Sequence, residues 1–549
     1  MTAVAADEAE RPSQTRLVVA ASAAGTAFEW YDFFLFGALA SIIARQFTGT
    51  NETAGFIFAL GAFAAGFFVR PFGALFFGRL GDRVGRKAAF LITITLMGLA
   101  TIAIGLLPTA AQIGPAAAVL LVLMRVIQGF ALGGEYGGAA IYVAEHAPDH
   151  RRGFLTSWIQ TSAAIGLLAA LGVILATRTI LGEEAFAAWG WRVSFLLSSL
   201  LLLVSLWIRM RLEESPAFTK MKEEQGVSTA PYKEAFGEWR NLKLVLIALV
   251  AVMLAQGAVW YTGTFYAQFF LERVLKVDGR TVNLIIMTVV MVSAFFYVFF
   301  GWLSDRVGRK PVMLFGMLVF VISVFPGFRI LTEAANPALV EASRSAPITL
   351  VADPADCSVQ FDPLGVRQFT SACDVAKRAL ADAGVPYKNV AGPAGSPATV
   401  RVGDAQVPGR SVLGMPKDAA KAARDGLKAE LGAALTSQGY PASADPERMN
   451  IPVIIAVLLV FTVAATAHYG PQAAALVEMF PTRVRYTALS LPYHVGTGWV
   501  GGFLPVTAFA MVAASGDLYF GLWYPLIFTL ISLVAMAFLL KETKGRPLH

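Results

Sequence analysis

The feature that most constrains this chain is a charged ten-residue motif that occurs twice, each time between two long apolar segments. Residues 78–87 read GRLGDRVGRK, and residues 301–310 read GWLSDRVGRK. Short charged connections between apolar stretches of about 20 residues are typical of loops that join membrane-spanning helices. Because the motif returns far downstream in the same setting, the sequence predicts two related halves, each built around the same loop.

Composition indicates an integral membrane protein. Hydrophobic residues make up 56% and charged residues only 15% of the 549 residues, whereas soluble domains carry about 25% charged residues. The polar N-terminus lacks the pattern of a cleaved signal peptide, so the first apolar segment is predicted to stay as an anchor. We therefore predict an all-α, multi-pass membrane protein with twelve transmembrane helices in two six-helix bundles.

The predicted spans follow the apolar segments. In the first half they are residues 17–43, 53–77, 88–107, 116–143, 154–177 and 191–208; in the second half they are 242–270, 282–303, 311–330, 451–477, 487–512 and 519–540. The predicted domains are an N-terminal tail (1–16), an N-terminal bundle (17–208), a central loop (209–241), a C-terminal bundle in two parts (242–330 and 451–540), an insert (331–450) and a tail (541–549).

Positive charge decides the predicted orientation. The net charge of +7 could suit an acidic partner such as nucleic acid, but Lys and Arg cluster in alternate loops. By the positive-inside rule this pattern places both termini in the cytoplasm of a plasma (inner) membrane protein. The charge therefore indicates topology, and no nucleic-acid partner is expected.

The insert at 331–450 is polar and leaves the ninth span on the extracytoplasmic side. Helices are predicted at 371–383 and 418–436, and strands at 348–351 and 399–402, which indicates a small α/β domain. Cys357 and Cys373 are the only cysteines. They either form a disulfide or remain free thiols. The insert has no histidine and no closely spaced cysteine pair, so neither a metal site nor a cofactor is expected.

Two carboxylates lie in the first span. Glu29 and Asp32 are three residues apart, which favours one helical face, and Glu29 lies ~18 Å along the helix from Leu17, near mid-bilayer. Like charges in a poorly solvated place favour protonation of one of them, the property that a proton carrier needs. The alternative is that both form permanent buried ion pairs.

Further buried charges and polar groups complete a predicted central site. Arg125 and Glu135 in the fourth span join Glu29 and Asp32 as proton-coupling candidates, with Arg125 as the neutralising cation. Arg70 offers a planar fork for a substrate carboxylate, or pairs with Asp32. The substrate-binding candidates are Tyr31, Arg70, Tyr136, Gln160, Gln256, Trp260, Tyr261 and His494. A buried histidine is more often a packing residue, so that alternative stays open for His494.

The repeated loops predict a gate. Asp82 and Asp305 either cap the helix that follows or pair with basic residues across the ends of neighbouring spans. Arg151, Arg152, Arg483 and Arg485 lie near Glu145 and Glu478 and could complete the same latch. The predicted gating residues are Gly78, Asp82, Arg83, Arg86, Glu145, Arg152, Gly301, Asp305, Arg306 and Arg309.

These motifs resemble a known family. The paired loops are similar to the signature of the major facilitator superfamily. The sequences EWYDFFLFG (29–37), RP (70–71), RVIQGFALGGEYGG (125–138) and LEESP (212–216) resemble its metabolite:proton symporter branch, and ETKGR (542–546) is shared with sugar porters. The resemblance implies alternating access around a central site, proton-coupled uptake of α-ketoglutarate, citrate, shikimate, proline or betaine, and gating roles for Asp82 and Asp305. Most members lack the insert.

The expected function is therefore proton-coupled symport of a small organic acid, such as a mono-, di- or tricarboxylate or shikimate. The alternatives are a transporter of a zwitterion of the proline or betaine type, and a receptor that senses a ligand through the insert. The expected partners are the organic acid, protons and the lipid bilayer, with an extracytoplasmic partner possible for the insert. The insert contains no Ser/His/Asp set, no phosphate-binding glycine loop and no paired histidines, so we do not expect an enzyme.

Overall fold

Long helices dominate the computed structural model, which describes residues 2–48, 52–211, 213–358 and 369–548. Residue 212 of the LEESP motif and residues 359–368 of the predicted insert lie outside the described residues. In the N-terminal half, the long helices are helix 1 (Thr2–Ala38), helix 2 (Glu52–Arg83), helix 3 (Arg86–Leu106), helix 4 (Ala116–His146), helix 5 (Asp149–Leu181) and helix 6 (Glu183–Met210). A short helix, Ala40–Thr48, separates helices 1 and 2.

The C-terminal half repeats this arrangement. Its long helices are helix 7 (Trp239–Val274), helix 8 (Gly279–Val307), helix 9 (Arg309–Ala335), helix 10 (Ile451–Met479), helix 11 (Arg485–Ser515) and helix 12 (Phe520–Leu539). The link between the halves carries the short helix Pro216–Gln225. Among the described residues, ten helices, numbers 3 to 12, are long and apolar enough to cross a membrane.

Helix 6 extends slightly beyond its predicted end at residue 208. The sequence placed Arg209 in the polar central loop, but helix 6 continues to Met210. The Arg209 side chain is only 1% exposed and pairs with Glu135 of helix 4. A tertiary partner therefore keeps a charged residue inside a helix that composition alone would end earlier.

Glycines bring helices 2 and 4 into backbone contact. A Cβ added at Gly129 would overlap the backbone of Gly66, and one at Gly133 would overlap the carbonyl of Arg70. Small residues permit such close approach in membrane helices. This contact fixes Arg70 of helix 2 beside helix 4.

Helices 7 and 11 contain π-helical turns. They occur at Ala248–Met253, Thr262–Tyr266 and Phe270–Val274 in helix 7, and at Val495–Gly501 in helix 11. Such turns are frequent at functional sites, because the extra residue per turn re-aims neighbouring side chains. In this fold they flank the parts of helices 7 and 11 that face the central cavity described below.

The insert contains a four-stranded sheet. Its strands are β1 (Ile348–Ala352), β2 (Lys388–Ala391), β3 (Thr399–Val402) and β4 (Ala405–Pro408), in the order β2-β1-β3-β4. Strand β1 is parallel to β2 and antiparallel to β3, and β3 is antiparallel to β4. Helices Pro337–Ser345, Ala372–Asp382 and Lys417–Ser437 accompany the sheet. Strands β2 and β4 escaped prediction. The four residues of β2 are all exposed, without the alternation that marks a strand, and β4 has only one buried residue.

The insert is fastened internally and to the C-terminal half. Cys357 and Cys373 form a disulfide. Tyr387 donates its backbone N–H to the Gly516 carbonyl (2.9 Å) and its hydroxyl to the Ala513 carbonyl (2.6 Å), at the end of helix 11. Lys276, just after helix 7, donates from Nζ to a carbonyl of the insert at 3.2 Å. One continuous buried apolar cluster runs from the C-terminal helices into the insert.

Candidate functional site

A small cavity lies between the two halves. Residues from helices 1, 2 and 4 of one half and helices 7, 10 and 11 of the other line it: Thr26, Glu29, Trp30, Phe33, Arg70, Leu132, Tyr136, Gln256, Trp260, Tyr261, Tyr469, Tyr493, His494 and Thr497. The space open to the centre of a water-sized sphere is only about 20 Å³. That volume holds about one water molecule, so the cavity is contracted.

Opposite charges face this cavity. Glu29 is 7% exposed, and its Oε2 has no hydrogen-bond partner among the described residues. The Arg70 guanidinium carbon lies 4.2 Å from the ring centroid of Phe67 and 5.2 Å from that of Phe33, and its Nε also lacks a described partner. Buried polar groups are normally hydrogen-bonded. Two incompletely satisfied groups of opposite charge at one cavity are therefore candidates for ligand binding.

Aromatic and amide groups form the facing wall. Trp260 donates from Nε1 to the Tyr297 hydroxyl at 2.8 Å, and its ring centroid lies 5.8 Å from that of Trp30 across the two halves. Within the described part of the chain, neither Oε1 of Gln256 nor either ring nitrogen of His494 makes a hydrogen bond. This wall therefore combines ring faces with polar atoms that are available to a ligand.

Stacked tyrosines bridge the halves beside the cavity. The rings of Tyr136 (helix 4) and Tyr493 (helix 11) are 3.6 Å apart and nearly parallel. The hydroxyl of Tyr493 is 2.8 Å from that of Tyr469, and Gln160 donates from Nε2 to the Tyr136 hydroxyl at 2.8 Å. Gln160 does not line the cavity, so it contacts the site only through Tyr136.

Two predicted site residues lie away from the cavity. Tyr31 donates its hydroxyl to the Ser194 carbonyl at 2.7 Å and is buried against helix 6. It does not line the cavity, so its place in the substrate site stays a prediction. Asp32 accepts a hydrogen bond of 2.5 Å from the Ser198 hydroxyl. Residues three apart on a helix differ by about 60° in direction. That angle is enough to turn Asp32 toward helix 6 while Glu29 faces the cavity.

The remaining predicted coupling residues have partners of their own. Arg125 donates to Oε1 of Gln128 at 2.8 Å and lies over the ring of Phe36, and its charge acts on Asp32. Glu135 accepts from Thr93 at 2.7 Å and pairs with Arg209, whose Nη2 is 2.7 Å from its Oε1.

Arg209 is the functional candidate that sequence reasoning missed. It sits at the polar end of an apolar segment, where arginines are common. The signal that could have found it was the lack of a predicted cation for Glu135.

The repeated loops meet the opposite half. Asp82 accepts hydrogen bonds from the backbone N–H groups of Tyr486 (3.1 Å) and Thr487 (2.8 Å), in the first turn of helix 11. Arg86 is 2.7 Å from the same carboxylate, and both side chains are 0% exposed. A carboxylate at a helix N-terminus is stabilised by the free N–H groups and the helix dipole.

The second loop mirrors the first. Asp305 accepts from the N–H groups of Gly153 (2.8 Å) and Phe154 (2.7 Å), at the start of helix 5 in the N-terminal half, and Arg309 is 2.6 Å from its Oδ1. Each aspartate therefore caps a helix of the other half rather than the helix that follows it. Glu214 and Glu542 bind the N–H groups that begin those following helices, at 3.1 Å and 2.9 Å.

Buried ion pairs connect the same elements. Arg485 is 2.6 Å from Glu145, and Arg152 is 2.9 Å from Glu478, which also pairs with Arg309 at 3.1 Å. Together these groups form what we call the interhalf latch: Asp82, Arg86, Glu145, Arg152, Asp305, Arg309, Glu478 and Arg485.

The other predicted gating residues divide into two groups. A Cβ at Gly78 would lie 2.8 Å from Cα of Thr487, and one at Gly301 would lie 2.5 Å from Cβ of Ser157. Both glycines therefore permit close contact between the halves. The side chains of Arg83 and Arg306 are exposed and take no part in the latch, and Arg306 lies over the Trp302 ring. Arg483, just before helix 11, pairs with Glu234 of the central loop at 2.8 Å.

Comparison with known proteins identifies the class. The model of the Major Facilitator Superfamily matches residues 22–325, and that of Sugar (and other) transporters matches residues 431–549. The chain belongs to the major facilitator superfamily, a class of membrane transporters and not of enzymes.

Individual relatives sharpen this placement. The glycine betaine/proline/ectoine/pipecolic acid transporter OusA of Dickeya dadantii is 37% identical over 58% of this chain and 65% of its own length. The shikimate transporter of Escherichia coli K12 is 36% identical over 58% of this chain and 72% of its own length. The chain spans less than two thirds of the length of the betaine relative. The two identities confirm the resemblance to the metabolite:proton symporter branch.

Solved structures agree on the fold. The proton:xylose symporter XylE bound to 6-bromo-6-deoxy-D-glucose superposes with a TM-score of 0.62, at 16% identity, over 98% of each chain. The inward-open conformation of XylE from Escherichia coli gives a TM-score of 0.53 at 15% identity, over 97% of this chain and 98% of XylE.

Proposed function

We propose that this protein is a proton-coupled transporter that takes up a small solute carrying a carboxylate. A zwitterion of the betaine or proline type is favoured over di- and tricarboxylates. The observation that carries this choice is the presence of Arg70 and Glu29 at one cavity. While Glu29 is ionised, a second carboxylate on the substrate would be repelled by it, whereas an ammonium group would be attracted.

The aromatic walls support the same choice. Arg70 presents a guanidinium fork to a carboxylate. The faces of Trp30, Phe33, Trp260 and Tyr261 stand beside Glu29, and cations are held over such faces, tryptophan most strongly. A compact zwitterion would place its carboxylate at Arg70 and its positive end among these rings.

A hydroxylated monocarboxylate such as shikimate is the second candidate. It needs Arg70 for its single carboxylate and hydrogen-bonding groups for its hydroxyls. Gln256 and His494 present such groups without partners among the described residues, and one relative is a shikimate transporter.

The proposed topology adds helices 1 and 2 to the ten apolar helices, which gives twelve spans in two bundles. Both termini and the interhalf latch are placed in the cytoplasm, and the insert outside a plasma (inner) membrane. The contacts of the insert with the ends of helices 7 and 11 support its assignment to the C-terminal bundle.

Alternating access follows from the latch. With the latch closed, the cytoplasmic path to the cavity is blocked. For substrate to be released inside, the aspartate caps and the cross pairs must separate together. We propose that Glu29 and Asp32 carry the coupled proton, since both are buried and neither forms an ion pair within 4.0 Å in the described part of the chain. The receptor alternative is disfavoured, because a latch repeated in both halves serves a protein that changes conformation.

Uptake into proteoliposomes tests the proposal. Vesicles with an inward proton gradient are given radiolabelled proline, glycine betaine or shikimate, with and without an uncoupler. We expect accumulation that the uncoupler abolishes, with Asp32→Asn retaining exchange but losing uphill uptake. Arg70→Lys keeps the charge but loses the fork and should weaken affinity about tenfold or more. Glu333→Gln, an exposed glutamate (62% side-chain exposure), serves as a control. Binding without accumulation would support the receptor instead.

A further inference from the structure

Arg209 lies beside two buried carboxylates, although only one of them is its partner. Its Nη2 is 2.7 Å from Oε1 of Glu135, and its guanidinium carbon is 3.5 Å from the ring centroid of Phe90. Its Nε has no partner in the described chain. Its Nη1 donates to the Phe90 carbonyl at 3.4 Å, so Nε is the one donor of this guanidinium that stays free among the described residues.

Helix 1 is shaped around this guanidinium. A Cβ at Gly25 would overlap Nη2, Cζ and Nε of Arg209, so only glycine leaves the arginine room at this position. Glu29 follows four residues later on the same helical face, about 6 Å away. Its Oε2 has no partner among the described residues, and the charge of Arg209 acts on its carboxylate.

The charged surroundings of Glu29 come from several elements. Asp32 lies on helix 1 itself, Arg70 on helix 2, Glu135 on helix 4 and Arg209 on helix 6, and all four act on its carboxylate. The ionisable groups facing the cavity from the C-terminal half are Tyr261, Tyr469, Tyr493 and His494. Arg70 points into the cavity and would bind substrate, so Arg209 is the cation behind Glu29 that stays with the protein.

We propose that Arg209 is a cation shared by Glu135 and Glu29, and that it is the positioning residue that lets Glu29 release and regain its proton. This inference rests on the proposed proton coupling. While Glu29 is protonated, Arg209 pairs with Glu135 as observed. When Glu29 loses its proton, the free Nε–H of Arg209 donates to the new carboxylate, while Nη2 stays paired with Glu135. The anion is stabilised without a substrate.

The test titrates Glu29 directly. Full-length protein in lipid nanodiscs is followed by infrared difference spectroscopy across pH, and the protonated carboxyl band lost in Glu29→Gln is assigned to Glu29. Gly25, where the guanidinium lies, is about one helical turn (~6 Å) from Glu29. A unit charge at about that separation, at an effective dielectric constant of about 20, changes such a midpoint by roughly two pH units. Arg209→Gln should raise the pH at which the band disappears by about one to two units. Glu135→Gln should lower it.

Two further variants keep the result independent of folding. The double variant Glu135→Gln/Arg209→Gln removes both charges together and should return the midpoint close to that of the unmodified protein. Gly25→Ala displaces the guanidinium and should raise the midpoint, whereas Gly37→Ala, on the same helix with nothing within 4 Å of its added Cβ, should not. A Glu29 midpoint that stays fixed in Arg209→Gln and Gly25→Ala overturns the inference. Because no substrate is present, this outcome is separate from a failure of the uptake assay.

Discussion

The interhalf latch makes the strongest quantitative prediction. Asp82 accepts two backbone N–H bonds from helix 11 and an ion pair from Arg86, all fully buried. Asn at this position loses the charge and keeps a single carbonyl oxygen, so at least one bond to helix 11 is lost and the rest weaken. Hydrogen bonds to charged groups contribute about 1.5–3 kcal/mol each. Asp82→Asn should therefore destabilise the latched state by about 2–4 kcal/mol, which is roughly a 30- to 1,000-fold change in the conformational equilibrium.

Cysteine accessibility measures this equilibrium. Ser490 lies on helix 11 against Gly137 of helix 4, and its hydroxyl has no partner among the described residues, so Ser490→Cys perturbs little. In inside-out vesicles, a maleimide should label this cysteine slowly in the otherwise unmodified chain. With Asp82→Asn it should label at least about 30-fold faster. The acceleration stops once the open state dominates and the reaction with the maleimide itself limits the labelling rate.

The pseudo-symmetry supplies a matched experiment and a control. Asp305→Asn removes the equivalent cap from helix 5 and should produce a similar acceleration. Asp404→Asn, at an exposed turn of the insert, should have no effect. If labelling in Asp82→Asn and Asp305→Asn stayed within twofold of the parent rate, the aspartates would not hold the halves together and the latch mechanism would be refuted.

Three further predictions concern the insert, the helix packing and the central loop. Replacing Cys357 and Cys373 by serine opens a loop of about 15 residues and should destabilise the insert by about 3 kcal/mol. Limited proteolysis should then cleave the insert faster, while the helices of the bundles stay intact. Gly133→Val drives a side chain into the backbone of helix 2 and should abolish a monodisperse peak in size-exclusion chromatography, whereas Gly172→Val, with open space at its Cβ, should not. Burial raises the pKa of Glu234, but its hydrogen bonds from Arg483 and Ser228 outweigh this and hold the pKa below the ordinary 4.5. The ion pair between Glu234 of the central loop and Arg483 is therefore complete above pH 4.5, and it is lost as pH falls through the lower pKa of the folded state. Hydrogen exchange of residues 228–237 should report this loss. An ion pair that weakened above pH 6 would contradict this assignment.

Sequence alone determined the parts of this protein that depend on composition and repetition. The sequence shows the apolar segments, the duplicated charged loops and the insert. It also identifies Glu29 and Arg70 as buried charges, because a charged residue inside an apolar segment can be recognised whatever its side chain contacts in the fold. The two loops also indicated that Asp82 and Asp305 act as a pair.

The tertiary structure alone decided which groups meet. Helical periodicity gives the angle between Glu29 and Asp32 but not the direction that helix 1 faces, so only packing turned one toward the cavity and the other toward Ser198. It likewise gave each aspartate a helix of the opposite half to cap, and it buried Arg209 beside Glu135. Residues far apart in sequence become partners through the close approach of whole helices, and that approach depends on glycines and side-chain shapes acting together.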